Sequence, residues 1–248
     1  MNSSYHRRVP VLGELGCVTS RQLSISTAAS ILIPLGSTEQ HGPHLPLDTD
    51  TRIATAVARA VAARLDTQSQ QDWLVAPAIA YGASGEHQSF PGTISIGAAA
   101  LTTLLVEYGR SAACWANRLV FVNGHGGNVE ALSRATALLR SEGRDAAWSP
   151  CSTAGADAHA GHTETSVLLH LSPGDVQSDR FLVGNAAPLH ELLPSMRRGG
   201  IAAVSEIGVL GDPTTATAAE GSRIFAEMVD DCFGRICRWV PGPGGVLS

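Results

Sequence analysis

The chain has 248 residues, is 44% hydrophobic and 5% aromatic, and carries a formal net charge of −5. That length and aliphatic content suit an α/β protein with a sizeable core, and the acidic balance, with no run of Lys or Arg to track phosphates, argues against a nucleic-acid partner. Five scattered cysteines without a C-x-x-C pair, no signal-peptide pattern and no apolar segment near the roughly 20 residues of a membrane span predict a soluble, cytoplasmic protein with reduced thiols and no membrane contact.

Residues 1–24 show little periodicity, and Leu12, Leu15 and Leu23 are read as lid or oligomer contacts. Ser30–Leu35 is a continuous apolar run, as expected of a strand buried on both faces of a parallel sheet. Residues 36–50 follow, a loop with three acids and two imidazoles fixed by glycines and prolines. Thr51–Leu65 then carries a helical stripe of Ile53, Val57, Ala60, Val61 and Leu65. Trp73–Pro77 reads as a second strand, running into the Gly-rich loop 81–93, and Ala98–Trp115 as a helix. Arg118–Val122 is a third buried strand that ends in Asn-Gly-His-Gly-Gly-Asn at 123–128. Val129–Glu142 is helical, with Gly143 placed to stop it, and Asp145–Pro150 is a fourth strand.

A polar cluster at 157–166 leads into a helix through Leu171. Residues 172–216 give no clear pattern, and a last helix starts at the capping box Thr217-x-x-Glu220. Strands alternating with helices predict an α/β fold, a three-layer α/β/α sandwich with a mostly parallel sheet. The polar clusters fall just after strands, at the carboxyl edge where ligands bind in such sheets. Pro241 onward, rich in Pro and Gly, is expected to be a flexible tail over 241–248.

Glu39, His41 and Asp50 offer oxygen and nitrogen ligands in one loop. His125 sits between glycines after a strand, and the fourth cluster adds His159, His162 and Glu164. Such a set suffices for two divalent ions sharing one carboxylate, a device suited to amide hydrolysis. A Ser–His–Asp triad is disfavoured because no G-x-S-x-G elbow surrounds Ser84, and a thiol nucleophile because no cysteine lies in a cluster. Glu86 and His87 could pair simply to fix their loop. His44 and Asp48 are read as loop-fixing residues.

Four ordered blocks carry a family resemblance: Gly36 to Asp50, Ser84 to Thr93 (Glu-His-x-x-Phe-Pro-Gly-Thr), Asn123 to Asn128, and His159 to Ser166 (His-Ala-Gly-x-x-Glu-Thr-Ser). Together they resemble the creatininase family of metal-dependent amidohydrolases, which implies one creatininase-like domain over 1–240. The resemblance implies Glu39, His41, Asp50, His125 and Glu164 as metal ligands, with Asp50 as the bridge. It implies His159 as the catalytic proton carrier, and Ser84 and His87 as substrate contacts. His162 is placed with the substrate-binding residues, a ligand role or a solvent-facing position being the alternatives. The implied cofactors are two divalent ions per subunit, Zn²⁺ or Fe²⁺ foremost and Mn²⁺ third, and the implied assembly is a homo-oligomer.

Longer matches, such as Tyr81-Gly-Ala-Ser-Gly-Glu-His and Ile207-Gly-Val-Leu-Gly-Asp-Pro, resemble a peptide-cleaving branch of the family. The substrate implied there is a modified precursor peptide cleaved before its C-terminal Val-Tyr pair. Gly127 stands where creatininase proper has a ligand Glu, and Gly155 near where it has a Trp, which argues for a roomier site than creatinine needs. Hydrolysis of creatinine or a formamide, and a non-catalytic metal-binding scaffold, are the rival readings.

Overall fold

A computed structural model describes residues 13–24, 29–68 and 72–248. After a short helix α1 (Ser20–Ser24), strands β1 (Ala29–Leu35), β2 (Asp72–Val75), β3 (Arg118–Asn123) and β4 (Ala146–Pro150) form an all-parallel sheet in the order β2-β1-β3-β4. Helices α2 (Thr49–Gln68), α3 (Gly97–Ala112) and α4 (Val129–Ser141) make the crossovers between these strands. Helices α5 (His162–Leu171), α6 (Leu189–Gly199) and α7 (Ala218–Arg238) follow the sheet.

Alternation along the strands divides the core in two. Leu32, Val75, Val120, Val122 and Ala147 face α2, α5 and α7, while Ile31, Ile33, Leu35, Leu119, Phe121 and Ala146 face α3 and α4. Both clusters are buried, so the expected three-layer sandwich is what forms. The chain leaves β1 toward β2 and returns to β3 on the other side of β1. The order reverses between β1 and β3, and that switch point opens a crevice at their carboxyl ends.

Pro34, inside a central strand, has a simple explanation. Its carbonyl accepts from Ile79 N at 2.9 Å, on the flank where β2 has already ended, so its missing N–H removes no bond of the β1–β2 ladder.

Helix bounds move by a few residues from expectation. α2 begins at Thr49, which puts Asp50 inside its first turn. Thr217 Oγ1 caps α7 by accepting from Glu220 N at 3.1 Å, as the capping box predicts.

Three expectations change. Leu15 and Leu23 are half-buried against the α3 side of the sheet, which is packing rather than a lid; Leu12 lies outside the described residues. α6 lies in the unread stretch and places few residues inside, Leu192 being its buried contact. The last residues do not behave as a flexible tail: Leu247 is fully buried and its N–H bonds to Trp148 O at 2.9 Å. Gly244 and Gly245, both at positive φ, fold the segment back onto α4, where Thr136 Oγ1 donates to Gly244 O. Among the described residues no helix is long and apolar enough to cross a membrane, and all five cysteines are free.

Candidate metal centre

Three loops meet at the switch point. The loop after β1 carries Glu39 and His41 and hands Asp50 to the start of α2. The loop after β3 carries His125, and the segment before α5 carries His159 with Glu164 in the first helical turn. Glu39, His41, Asp50, His125 and His159 are all buried, and Glu164 is partly so. Their ligand atoms converge in overlapping groups: Glu39, Asp50 and His125; His41, His159 and Glu164; and Glu39, His87 and His159.

Asp50 occupies the middle. Its Oδ1 lies 3.1 Å from His41 Nε2 and its Oδ2 lies 3.3 Å from His125 Nδ1. His125 Nδ1 is also 3.2 Å from Glu39 Oε1, and His41 Nε2 is 3.8 Å from Glu164 Oε2. The outer nitrogens have other partners: His41 Nδ1 is 3.1 Å from Glu39 O, and His125 Nε2 is 3.4 Å from Ala83 O. Each ring therefore turns one nitrogen inward and anchors the other, the arrangement that sets a metal-binding tautomer.

These residues fit a bound cation on physical grounds. Both Glu39 oxygens and Asp50 Oδ2 are buried and have no hydrogen-bond partner among the described residues, although ring nitrogens sit within 3.2–3.8 Å. Proximity without hydrogen-bond geometry leaves those oxygens unsatisfied, a costly state for buried carboxylates unless a positive charge lies between them. The electrostatics agree. Burial disfavours the His41 imidazolium, but Asp50, Glu164 and Glu39 outweigh it and raise its pKa to about 10. His125 is likewise pushed up by Glu39 and Asp50 against the pull of burial. Asp50 is driven far below the carboxylate range by His41 and His125 despite its burial. Glu164, raised to about 7 mainly by burial, lies farther from positive charge. Without a cation the cluster draws in protons to balance three acids.

The second wall is built differently. His159 N and O pair with Leu210 in an isolated antiparallel bridge. Ala160 follows at φ 51, a left-handed conformation rare for alanine, and its N–H donates to Glu164 Oε2 at 2.6 Å. Asp157 caps α5 from outside by accepting from His162 N and Thr163 N. His159 turns Nδ1 toward Glu39 Oε1 at 3.8 Å and stacks at 4.4 Å from both His41 and His87. Burial, then His41 and His87, keep it neutral.

His87 is buried beside the cluster, its Nε2 faces Glu39 Oε1 at 3.3 Å, and burial lowers its pKa to about 4. His162 joins none of the converging groups, because its Nδ1 pairs with Thr215 Oγ1 at 2.8 Å. Ser84 lies beside the site with its hydroxyl buried and unpartnered among the described residues. His44 and Asp48 do fix structure: His44 Nε2 pairs with Thr165 Oγ1, and Asp48 with Arg52.

Two residues were missed as parts of the site. Gln40, buried between two ligand positions, touches both His87 and His159. Glu86 places Oε1 3.5 Å from His125 Nε2. A Cβ on Gly127 would stand 2.3 Å from Ala83 O, 2.4 Å from His125 Nε2 and 2.8 Å from Glu86 Oε1, so no side chain fits at 127 in this arrangement. The signal for Glu86 was the glycine at 127, an acid position vacated in one loop and approached from another.

Comparison with known proteins agrees with this geometry. Residues 19–236 match the family model "Creatininase: Creatinine amidohydrolase". The chain is 77% identical, over the whole of both chains, to the "Mycofactocin precursor peptide peptidase" of Mycobacterium ulcerans (strain Agy99). It is 30% identical to the "Creatinine amidohydrolase" of Pseudomonas putida, covering 87% of this chain and 92% of that one. Among solved structures it resembles "Creatininase Mn", with TM-score 0.75, 27% identity, and coverage of 93% of this chain and 99% of that one. With the α/β/α sandwich and the carboxylate–imidazole cluster at its switch point, these matches show that the chain belongs to the creatininase family.

Proposed function

We propose that this protein is a metal-dependent peptidase that removes the modified C-terminal Val-Tyr pair from the precursor peptide of mycofactocin. The observation that carries the hydrolase reading is the meeting of Glu39, Asp50 and Glu164 with His41 and His125, in which three buried carboxylate oxygens have no hydrogen-bond partner among the described residues. The peptide substrate is supported by the name of the relative that is 77% identical from end to end. A groove of about 370 Å³ lined by Glu86, Ser89, Met196 and Arg197 is consistent with it, because Glu86 joins that groove to the cluster.

In this reading Glu39, His41, Asp50, His125 and Glu164 hold two divalent ions, with Asp50 shared. Mixed carboxylate and imidazole ligands suit Zn²⁺, Fe²⁺ or Mn²⁺. Ions bound there would polarise the scissile carbonyl and lower the pKa of a water molecule. Asp50 would be the ligand shared between them, since its two oxygens face opposite imidazoles. His159, neutral with Nδ1 facing the cluster, takes a proton there and returns it to the departing amine nitrogen. Burial of the walls keeps bulk water from competing with these short-range interactions. The protein works in the cytoplasm as a homo-oligomer.

The test is incubation of zinc- or iron-loaded protein with the radical-modified precursor peptide, read by mass spectrometry beside a panel of small amides that includes creatinine. A Val-Tyr-derived product and no turnover of the small amides is expected. Turnover of creatinine alone, or no product with metal occupancy verified, defeats the peptide assignment.

A further inference from the structure

Gln40 lies between two of the ligand positions, Glu39 and His41, and its own side chain contacts histidine rings and backbone groups. Its amide orientation is fixed by two partners whose roles are unambiguous. Oε1 accepts from the backbone N–H of Gly42 at 2.9 Å, and Nε2 donates to the carbonyl of Gly208 at 3.0 Å. A flipped amide would set oxygen against oxygen at Gly208 and N–H against N–H at Gly42. Gly208 is built for this approach: at φ 79, a Cβ there would stand 1.9 Å from Gln40 Oε1.

With that orientation fixed, the protons of two histidines follow. Nε2 of Gln40 has two hydrogens, one committed to Gly208 O, and its second neighbour is His87 Nδ1 at 2.8 Å. His87 Nδ1 must therefore accept, and a neutral His87 must carry its proton on Nε2, the nitrogen that faces Glu39 Oε1. On the other side, His159 Nε2 lies 2.8 Å from the carbonyl of Gln40, which only accepts, so His159 Nε2 is the protonated nitrogen. The 3.1 Å contact between Gln40 Nε2 and His159 Nε2 is then a meeting of two donors, not a hydrogen bond. One buried residue thus sets both rings in opposite senses: His87 shows the cluster an N–H, and His159 shows it a bare Nδ1.

We infer that Gln40 is a positioning residue: its side chain fixes His87 as an N–H donor facing Glu39, and its backbone carbonyl fixes His159 with the lone pair at Nδ1. This rests on the peptidase reading only for the role of His159; the proton positions stand on hydrogen-bond geometry alone. The same proton placement would keep His87, although its ligand atom converges with those of Glu39 and His159, from serving as a metal ligand, because its inward nitrogen has no lone pair to give.

The test is a neutron structure of the zinc-loaded protein exchanged into D₂O, together with Gln40→Glu and Gln40→Met variants. Deuterium is expected on Nε2 of both His87 and His159 in the wild type, and on Nδ1 of His87 in Gln40→Glu, whose carboxylate can only accept. Both variants should lose about 10–100-fold in kcat on the modified peptide, with KM within about twofold of wild type, the size of effect that partners orienting metal-site residues produce. A purely structural role predicts instead a lower Tm with unchanged kcat in the folded fraction. Deuterium on Nδ1 of either ring in the wild type, or wild-type kcat in both variants, overturns the inference. The wild-type neutron map decides the proton positions even if neither variant folds and even if the peptide is not the substrate, so failure of the functional reading stays distinguishable.

Discussion

The two walls of the cluster are made by opposite means. Glu39, His41 and Asp50 sit on a loop that continues a central strand into a 20-residue helix, so the sheet itself sets their place. His159 and Glu164 come after the last strand and hang from isolated devices: the Leu210 bridge, the left-handed Ala160 and the Asp157 cap. A wall set by the sheet tolerates little change anywhere, whereas a wall set by single contacts fails one contact at a time. The first wall carries Glu39, His41 and Asp50; the second sets a neutral, buried His159 beside the third acid, Glu164.

Separating those roles gives the largest expected effect short of metal loss. His159→Ala should lower kcat by about 10²–10⁴-fold, the usual worth of a general acid–base group, while keeping its zinc content. Loss of metal in that variant would mean that His159 itself binds metal. Next, Gly127→Ala forces a Cβ against Ala83 O and Glu86 and should cost about 1–3 kcal/mol in denaturant unfolding, as overpacking does. An unchanged midpoint would show that the Ala83 backbone and the His125 ring give way as well as Glu86. Asp157→Ala removes a cap from the second wall alone. It should cost about 1–2 kcal/mol and, because the capped turn carries Glu164, weaken zinc binding as well as turnover, measured by chelator competition.

The first wall was far more legible in sequence than the second. An apolar run ending in a fixed loop of acids and imidazoles names its own chemistry, because sheet and loop are continuous in the chain. His159 and Glu164 were legible only through their motif; that Ala160 must adopt positive φ, and that Leu210 supplies the bridge, depends on a partner distant in the chain. Gln40 was hidden for the same reason, since its partners at 87, 159 and 208 come from three separate loops. α6 eluded the reading because it buries little, and the final segment because its Pro and Gly content masked a buried Leu247.

Proton uptake gives a smaller, sharper contrast between the walls. With no cation present, His41, at a pKa of about 10, and His125, raised well above its usual value, are both protonated at pH 7, whereas His159 is neutral. Ligands must bind metal unprotonated, so zinc binding at pH 7 should release about two protons per subunit from His41 and His125, a further fraction from Glu164, whose carboxyl is raised to about 7, and none from His159. Calorimetry in buffers of different ionisation enthalpy reads this number directly, and a release near zero would mean the imidazoles are already neutral.

The measurement that bears most directly on the shared carboxylate is metal content per subunit, by mass spectrometry of the elements, in wild type and in Asp50→Asn after equilibration with zinc. Because Asp50 faces both His41 and His125, two ions are expected in the wild type, and loss of both, with all turnover, in the variant. An Asp50→Asn protein that keeps two tightly held ions would contradict the bridging role of Asp50 and the two-ion centre built around it.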